Sequence, residues 1–325
     1  INVLHPTTEA FKEDPLRVLR AFQFISRFDS GSSIDLILAS HELLSEKPNL
    51  TPERIWVEWE KWCTRAIATS KGWEFLFQTG WLESELFDLI GIEQDPTHHP
   101  EGDAFNHTLC VVDAMSDICN REQVTNEEKT ILMLTALCHD LGKAVSTKWN
   151  EKKQKWTAYN HQITGVPLAE SFLTKINCPL KFRRPILTIV REHMVHLLEE
   201  PNDKNVRRLV NRLVDGKASI RLLAMMVEAD VSGRPPLPKG QSPRFIKWLD
   251  RCAELNLTGE SKIPQLIGGD VLIGQFGLKE GKEMGDLLKE IYQAQLDGKF
   301  QIFEEGLVFI QKKYPKKLGI YSKKP

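Results

Sequence analysis

The sequence has almost no net charge and no long apolar segment, and both absences narrow the classes of protein it can belong to. Its formal charge is −1 over 325 residues, so binding of nucleic acid would need a local basic patch and not a global positive field. No apolar run approaches the ~18 residues that a membrane-spanning helix needs, and no basic-then-apolar leader opens the chain. We therefore expect no membrane contact.

Cysteine is present but lacks the spacings of metal knuckles and redox pairs. The six cysteines include no Cys-x-x-Cys pair. We expect reduced thiols, mostly in the core, and a cytoplasmic protein. They are Cys63, Cys110, Cys119, Cys138, Cys178 and Cys252.

Helix signals recur along the chain and predict an all-α fold. Asp14-Pro15 is typical of an N-cap followed by proline at the first helical position, which predicts a helix over 15–28. Thr125 with Glu128 forms a capping-box pattern ahead of a helix to about His139. The only strand-like stretch is 145–160, which we expect to form an exposed hairpin or loop.

Two clusters of proline, glycine and polar residues, near 92–104 and 232–243, divide the sequence. They predict three parts: 1–92, 93–235 and 236–325.

Histidine and aspartate at helix ends form the strongest chemical pattern. His139-Asp140 ends an apolar helix, and Asp140 can bridge two ions because it directly follows a histidine. Imidazole with carboxylate suits Mn, Fe, Co, Ni, Zn or Mg. Lys143, one turn onward, can hold a phosphate oxygen. A single buried histidine is more often a satisfied core residue. The candidate metal ligands are His107, His139, Asp140, His161, His193 and Asp230.

These ligands occur in the order H…HD…H…H…D, which resembles the HD-domain phosphohydrolases. More narrowly, Glu228–Arg234 and Pro96–Asp103 resemble segments of the HD domain in bacterial multifunctional CCA-adding enzymes. The resemblance covers nearly the whole chain and implies a helical neck or body (1–92), an HD domain (93–235) and a helical C-terminal tail (236–325). It also implies one or two divalent ions (Mg, Mn or Ni) and hydrolysis of 2′,3′-cyclic phosphates and phosphomonoesters at RNA ends.

A second motif near the start of the chain resembles the same family. Glu13-Asp14-Pro15-Leu16-Arg17 is similar to the EDxxR motif, whose Asp and Arg read the incoming base. This resemblance implies that Asp14 and Arg17 bind nucleotide, since Arg donates and Asp accepts hydrogen bonds. Arg54 and Glu58 match the family's next helix motif. The alternative is that Asp14 only caps a helix.

The sequence departs from the family in one respect. The nucleotidyl-transfer head needs a Gly-Ser loop followed by Asp-x-Asp, and Gly31-Ser32-Ser33 with Asp35 is not followed by that pair. We therefore expect that this chain cannot add nucleotides alone. Either an upstream head was removed, a partner supplies it, or the protein is only a hydrolase. The first residue is Ile1 and not Met, which favours the first explanation.

Three functions remain open on this evidence. The first is a phosphohydrolase acting on tRNA 3′ ends or nucleotides. The second is the C-terminal part of a CCA-adding tRNA nucleotidyltransferase whose head lies in cis or in trans. The third is a non-catalytic tRNA-binding scaffold with a relic metal site.

Weaker signals complete the analysis. Trp56, Trp59 and Trp62 recur every three residues, which favours core packing over base stacking. His98-His99 lies in a polar loop, where we expect solvent exposure and not ligation. Residues 301–325 hold six lysines against two glutamates, so the tail is a possible tRNA contact.

Overall fold

The structure is a computed structural model. Helices make up most of it, and this confirms the predicted all-α fold class. The residues that it describes are 3–6, 11, 13–257 and 259–315.

Strands are few in the described part of the chain. A short parallel pair joins β1 (Val3–Leu4) to β2 (Gly31–Ser32). An antiparallel hairpin joins β3 (Thr147–Asn150) to β4 (Lys155–Ala158), with Trp149 opposite Trp156. This hairpin lies within the stretch that the sequence predicted as a hairpin or loop.

The chain forms two compact units, each made of two segments. The first contains Ile1–Val195 and Gly216–Ile246, and the second contains His196–Asp215 and Lys247–Pro325. The three domains predicted from sequence breaks group the chain differently, and they remain a prediction.

The N-terminal helices of the first unit pack around a cluster of aromatic rings. The ring centroids of Trp59, Trp62 and Trp73 lie 5.2 to 5.9 Å apart. Trp56 is buried as well, so the prediction of core packing for the tryptophan repeat is confirmed. The helices are α1 (Arg17–Phe28), α2 (Ile34–Glu42), α3 (Pro52–Arg65), α4 (Thr69–Thr79) and α5 (Ser84–Phe87), and a 3-10 helix covers Leu44–Asn49.

The first of these helices begins at Arg17, two residues after the predicted start. Asp14 still acts locally, because its Oδ1 accepts a hydrogen bond from the amide of Leu16 at 3.3 Å. Its other oxygen is held by Arg54, whose Nη2 lies 2.6 Å from Oδ2. The carboxylate is therefore divided between the start of α1 and the start of α3.

The next helices bring together the predicted ligands. The capping box predicted for Thr125 and Glu128 is present at the start of α7, with Thr125 Oγ1 accepting from the Glu128 amide at 3.2 Å. At the start of α6, Asp103 Oδ1 accepts from the Asn106 amide at 2.8 Å. The helices that follow along the chain are α6 (Ala104–Arg121), α7 (Asn126–Cys138), α8 (Lys143–Ser146), α9 (His161–Lys175), α10 (Leu180–Glu192), α11 (Val195–Leu198), α12 (Asp203–Asp215) and α13 (Ile220–Ser232), of which α12 belongs to the second unit.

The second unit has a core of its own. Its buried hydrophobic residues include Ile267, Leu272, Ile291 and Phe300. Of the predicted C-terminal tail, the last ten residues, 316–325, lie outside the described residues. The remaining helices are α14 (Pro243–Glu254), α15 (Gly269–Phe276), α16 (Lys282–Leu296) and α17 (Phe303–Lys313).

Two close backbone contacts fix the elements that carry the ligands. A Cβ added to Gly142 would lie 2.6 Å from the amide nitrogen of Gly165 and closer still to the carbonyl oxygen of His161. A Cβ added to Gly233 would lie 2.7 Å from the amide nitrogen of Val111. The first contact sets the turn after His139 against α9, and the second sets the end of α13 against α6.

Gly142→Ala is expected to destabilise the first unit, because the new methyl group would meet backbone atoms that cannot rotate away. Overpacking of this kind typically costs about 1–3 kcal/mol. The measurement is the melting temperature by circular dichroism, which should fall. The control is Gly285→Ala in α16, where the added Cβ meets no atom within 4 Å. Alanine is favoured over glycine in a helix by up to ~1 kcal/mol, so the control should hold or raise the melting temperature. An unchanged melting temperature for Gly142→Ala would refute the close-packing argument.

Candidate metal centre

Four histidines reach one buried cluster from four different helix ends. His107 lies in the first turn of α6 and His161 is the first residue of α9, whereas His139 and His193 directly follow α7 and α10. All four are at most 5% exposed. The helix ends therefore meet where the imidazoles are withdrawn from water.

Three of these histidines are oriented by their own local backbone. In His139, His161 and His193, Nδ1 lies 2.8, 2.7 and 2.6 Å from the carbonyl oxygen three residues earlier. A carbonyl only accepts, so Nδ1 must carry the ring proton. In a neutral imidazole the other nitrogen, Nε2, then has a free lone pair, which is the form that binds metal.

The carboxylate of Asp140 lies between the Nε2 atoms of the four histidines. Oδ2 lies 3.1 Å from His139 Nε2 and 3.6 Å from His107 Nε2. Oδ1 lies 3.2 Å from His161 Nε2 and 3.9 Å from His193 Nε2. Each oxygen of the carboxylate therefore faces a different pair of histidines.

Asp230, near the end of α13, lies on one side of this centre, where its Oδ1 is 3.2 Å from His107 Nε2. The described residues form three groups of possible ligands, of which one contains His99, Glu101 and His107 and the other two contain the predicted ligands. We name the group His107, His139 and Asp230 the His107 half. We name the group Asp140, His161 and His193 the His161 half.

The atoms that converge here are mostly acceptors, which suits a cation between them. His161 Nε2 lies 3.3 Å from His193 Nε2, although both rings place their proton on the opposite nitrogen. His139 Nε2 is buried without a hydrogen bond of normal geometry in the described structure. Lone pairs facing a carboxylate in a dry site repel one another, so the donor set fits divalent metal ions.

The charges of the site agree with this reading. Burial raises the pKa of Asp140, but the nearby His139 and Lys143 outweigh it and hold the pKa well below its usual range. Burial also raises the pKa of Asp230, but its contact with His107 keeps it well below the usual range. Burial and the neighbouring His161 lower the pKa of His193 to about 3. The carboxylates are thus charged and His193 is neutral at pH 7, as ligands must be.

Lys143, predicted as a catalytic residue, also reaches the centre. Its ammonium lies 2.6 Å from Asp140 Oδ2 and donates to Gln94 Oε1 at 2.6 Å. It is buried, so the charge is held in place by these two acceptors.

Two groups at the site were missed by sequence reasoning. The predicted exposure holds for His98 but is wrong for His99, whose side chain is only 19% exposed. The ring centroid of His99 lies 4.6 Å from that of His107. Between them, Glu101 Oε1 lies 2.9 Å from His99 Nδ1 and 2.7 Å from His107 Nδ1. The histidine-proline-glutamate spacing was a signal, but the loop's polarity obscured it.

The predicted nucleotide-binding residues lie elsewhere in the first unit. A cavity of about 200 Å³ near α3 is lined by Arg54 and Glu58 but not by Asp14 or Arg17. Arg17 is half-buried and has no ion pair with another described residue. The role of these four residues remains a prediction. Glu58 is buried, with Oε1 2.9 Å from Lys61 Nζ.

Arg234, the remaining predicted site residue, lies just beyond α13, where its Nε donates to the carbonyl of Val231 at 3.3 Å. The structure shows no contact between it and the metal centre among the described residues.

The fold and the ligands define a class of protein. Residues 104–254 match the family model of the HD domain, and all six predicted ligands lie in that segment. Nearly half of the chain is therefore similar to an HD domain.

The similarity of this chain to individual proteins is more specific than its match to a domain family. It is homologous to the multifunctional CCA protein of Shewanella denitrificans, with 30% identity over 266 residues, 78% of this chain and 60% of that protein. The multifunctional CCA protein of Actinobacillus pleuropneumoniae serotype 5b is 30% identical over 268 residues, 78% of this chain and 62% of that protein. This chain thus spans about three fifths of the length of these relatives.

The likeness of this chain to solved structures is weak. A CCA-adding enzyme in complex with CTP covers 93% of this chain and 60% of its own, with 14% identity and a TM-score of 0.46. That TM-score is too low to establish a shared arrangement of the whole chain.

Two further predictions can be compared with the structure. All six cysteines are free, as the reduced-thiol prediction requires. Across the described residues, no helix combines the length and the apolar character that crossing a bilayer requires.

The centre is expected to bind divalent metal and to be stabilised by it. An ion that binds only the folded state adds about 2.7 kcal/mol of stability at 100 times its Kd. We expect Mn²⁺ or Ni²⁺ to raise the melting temperature of chelator-treated protein. Asp140→Asn should lose most of this increase, because the amide removes a charge and a ligand oxygen. The control His98→Gln, an exposed change in the adjacent loop, should retain it. An equal rise in Asp140→Asn would show that the ions bind elsewhere.

Proposed function

We propose that this chain is a metal-dependent phosphohydrolase acting as a 2′,3′-cyclic phosphodiesterase and phosphatase. The observation that carries the proposal is the position of Asp140, with one oxygen toward His107 and His139 and the other toward His161 and His193. A carboxylate so placed is suited to bridge two divalent ions, and Mg, Mn and Ni all accept such ligands.

The chain's own residues divide the work. The His107 half and the His161 half would each hold one ion, and Asp140 would be shared. Bound divalent ions supply Lewis-acid stabilisation of a phosphoryl group and make water more acidic. The helix ends that surround the histidines exclude bulk water, which strengthens electrostatic interactions inside the site.

Lys143 is the group best placed to hold a phosphate oxygen. Its ammonium is already at the centre, 2.6 Å from Asp140 Oδ2. If the two halves held divalent ions, Asp140 would pair less strongly with Lys143, and the ammonium of Lys143 could then hold an oxygen of the substrate's phosphoryl group. Gln94 would keep Lys143 directed toward the site through its hydrogen bond of 2.6 Å.

The substrate class is inferred from the relatives. Proteins named multifunctional CCA protein are 30% identical to this chain over most of its length, which supports tRNA 3′ ends or nucleotides as substrates. On this proposal Asp14, Arg17, Arg54 and Glu58 form a separate nucleotide-binding region. The C-terminal tail contacts tRNA, and a nucleotidyltransferase head is joined in cis or in trans. We also propose a cytoplasmic location.

The hydrolase is tested by steady-state phosphate release from 2′,3′-cyclic AMP and from a phosphomonoester, with Mg²⁺, Mn²⁺ or Ni²⁺. Asp140→Asn should abolish the metal-dependent rate. The substitution would weaken ion binding in both halves, so that water at the site would be made less acidic. Circular dichroism should show that the variant stays folded.

The matched control is Asp113→Asn, which neutralises an aspartate on α6 that contacts Thr69 and not the metal centre. It should retain the wild-type rate. Full activity of Asp140→Asn with every metal would exclude the HD site as the catalyst and favour the scaffold role.

A second candidate function is CCA addition, which the names of the homologous proteins favour. Since no Gly-Ser loop with Asp-x-Asp occurs in this sequence, the purified chain alone is expected not to add labelled CMP to tRNA that ends before CCA. Incorporation of CMP without an added subunit would contradict this expectation.

A further inference from the structure

The two halves of the metal centre are not equivalent in charge. The His107 half has its own carboxylate, Asp230, and also faces Asp140 Oδ2. The His161 half has only the shared Asp140, through Oδ1. Since each carboxylate near a divalent ion adds attraction in a dry site, the His107 half is favoured by direct ligand charge alone.

The groups behind the histidines differ in the same direction. Nδ1 of His139, His161 and His193 faces a neutral backbone carbonyl. Nδ1 of His107 instead lies 2.7 Å from Oε1 of the carboxylate Glu101, an ion-pair contact without normal hydrogen-bond geometry. A carboxylate behind a ligating imidazole makes the ring a stronger electron donor and fixes its orientation.

Glu101 is shielded from water. Its side chain is 2% exposed, and its Oε2 is buried without a hydrogen bond in the described part of the chain. A buried charge with one unpaired oxygen is costly unless positive charge lies close to it. A cation bound at His107 Nε2 would supply that charge through the ring.

The loop that carries Glu101 is tied down on both sides. Asp103 Oδ2 accepts from the amide of Gly91 at 2.8 Å, and Gln94 Nε2 donates to the carbonyl of Gly102 at 3.1 Å. Gly102 has a φ of 120°, a conformation that a side chain would strain. Glu101 is therefore held against His107 by the backbone and not by its own flexible side chain.

We propose that Glu101 is a positioning residue that acts through His107, and that it makes the His107 half the tighter of two ion sites. This inference rests on the proposed metal-dependent function. It adds the order in which the two ion sites bind their ions. The first ion binds in the His107 half, and the second binds in the His161 half.

The test is stepwise titration of the chelator-treated full chain with Mn²⁺ or Ni²⁺ by isothermal titration calorimetry, with bound metal counted by mass spectrometry. The wild type should bind two ions in two separate steps. Glu101→Gln keeps the shape but removes the charge, so it should weaken the first step by about 10- to 100-fold and leave the second unchanged. His193→Gln should do the reverse, losing the second step and keeping the first.

A spectroscopic measurement separates positioning from a loss of structure. Nitrogen-15 NMR of the imidazoles should show a proton on Nδ1 of His107 in the wild type and a shifted resonance in Glu101→Gln. The matched control is Glu85→Gln, a buried carboxylate held by Ser171 and Lys175 away from the histidines. It should change neither binding step. If Glu101→Gln does not fold, Glu101→Asp retains the charge at a greater distance and should weaken the first step only.

The possible results distinguish a failure of this inference from a failure of the proposed hydrolase function. A wild-type chain that binds no metal would refute both. A wild-type chain that binds two ions, with both steps weakened equally by Glu101→Gln or only the second weakened, would refute the role of Glu101 and leave the hydrolase standing.

Discussion

A buried carboxylate that faces the Nε2 atoms of four imidazoles is the constraint on which the centre of this protein depends. Asp140 is 2% exposed and accepts no stabilisation from bulk water. Without a cation, the Nε2 atoms of His139 and its neighbours face Asp140 as acceptor against acceptor. Among the residues that the structure describes, only Lys143 brings a permanent positive charge to this carboxylate, at 2.6 Å. A divalent ion bound among these atoms would relieve this repulsion.

The surrounding architecture is arranged to hold this cluster together. Each ligand lies at or near a helix end. Gly142 and Gly165 let the turn after His139 approach α9 to backbone distance. Gly233 does the same for α13 against α6, which places Asp230 beside His107. Small residues at these crossings matter because they bring charged groups closer than bulky side chains would allow.

Much of the arrangement could be predicted from the sequence, for physical reasons. His139-Asp140 follows a capped apolar helix, and such a helix has a defined end. His161 and His193 also fall at helix ends, so their convergence could be expected. The resemblance to HD domains supplied the order of the ligands, and the match over residues 104–254 agrees with it.

The remaining features depended on loop geometry, which residue type alone does not encode. His99 and Glu101 lie in a polar loop, and their burial requires the positive φ of Gly102 and the hydrogen bonds of Gln94. The start of α1 moved to Arg17 because Asp14 is shared with Arg54, a residue 40 positions later. A contact across that separation leaves no periodic pattern near Asp14.

The carbonyl contacts of His139, His161 and His193 have a consequence for how such a centre can change over evolutionary time. Each ring is oriented by a backbone oxygen three residues earlier. The orientation of each ligand is therefore set within a four-residue segment of the chain. Substitutions elsewhere in these helices can alter packing without rotating the rings. His107 is the exception, since Glu101, six positions away, stands behind its ring. Substitutions in the loop around Glu101 could therefore change the ion affinity of the His107 half while the other three imidazoles keep their orientation.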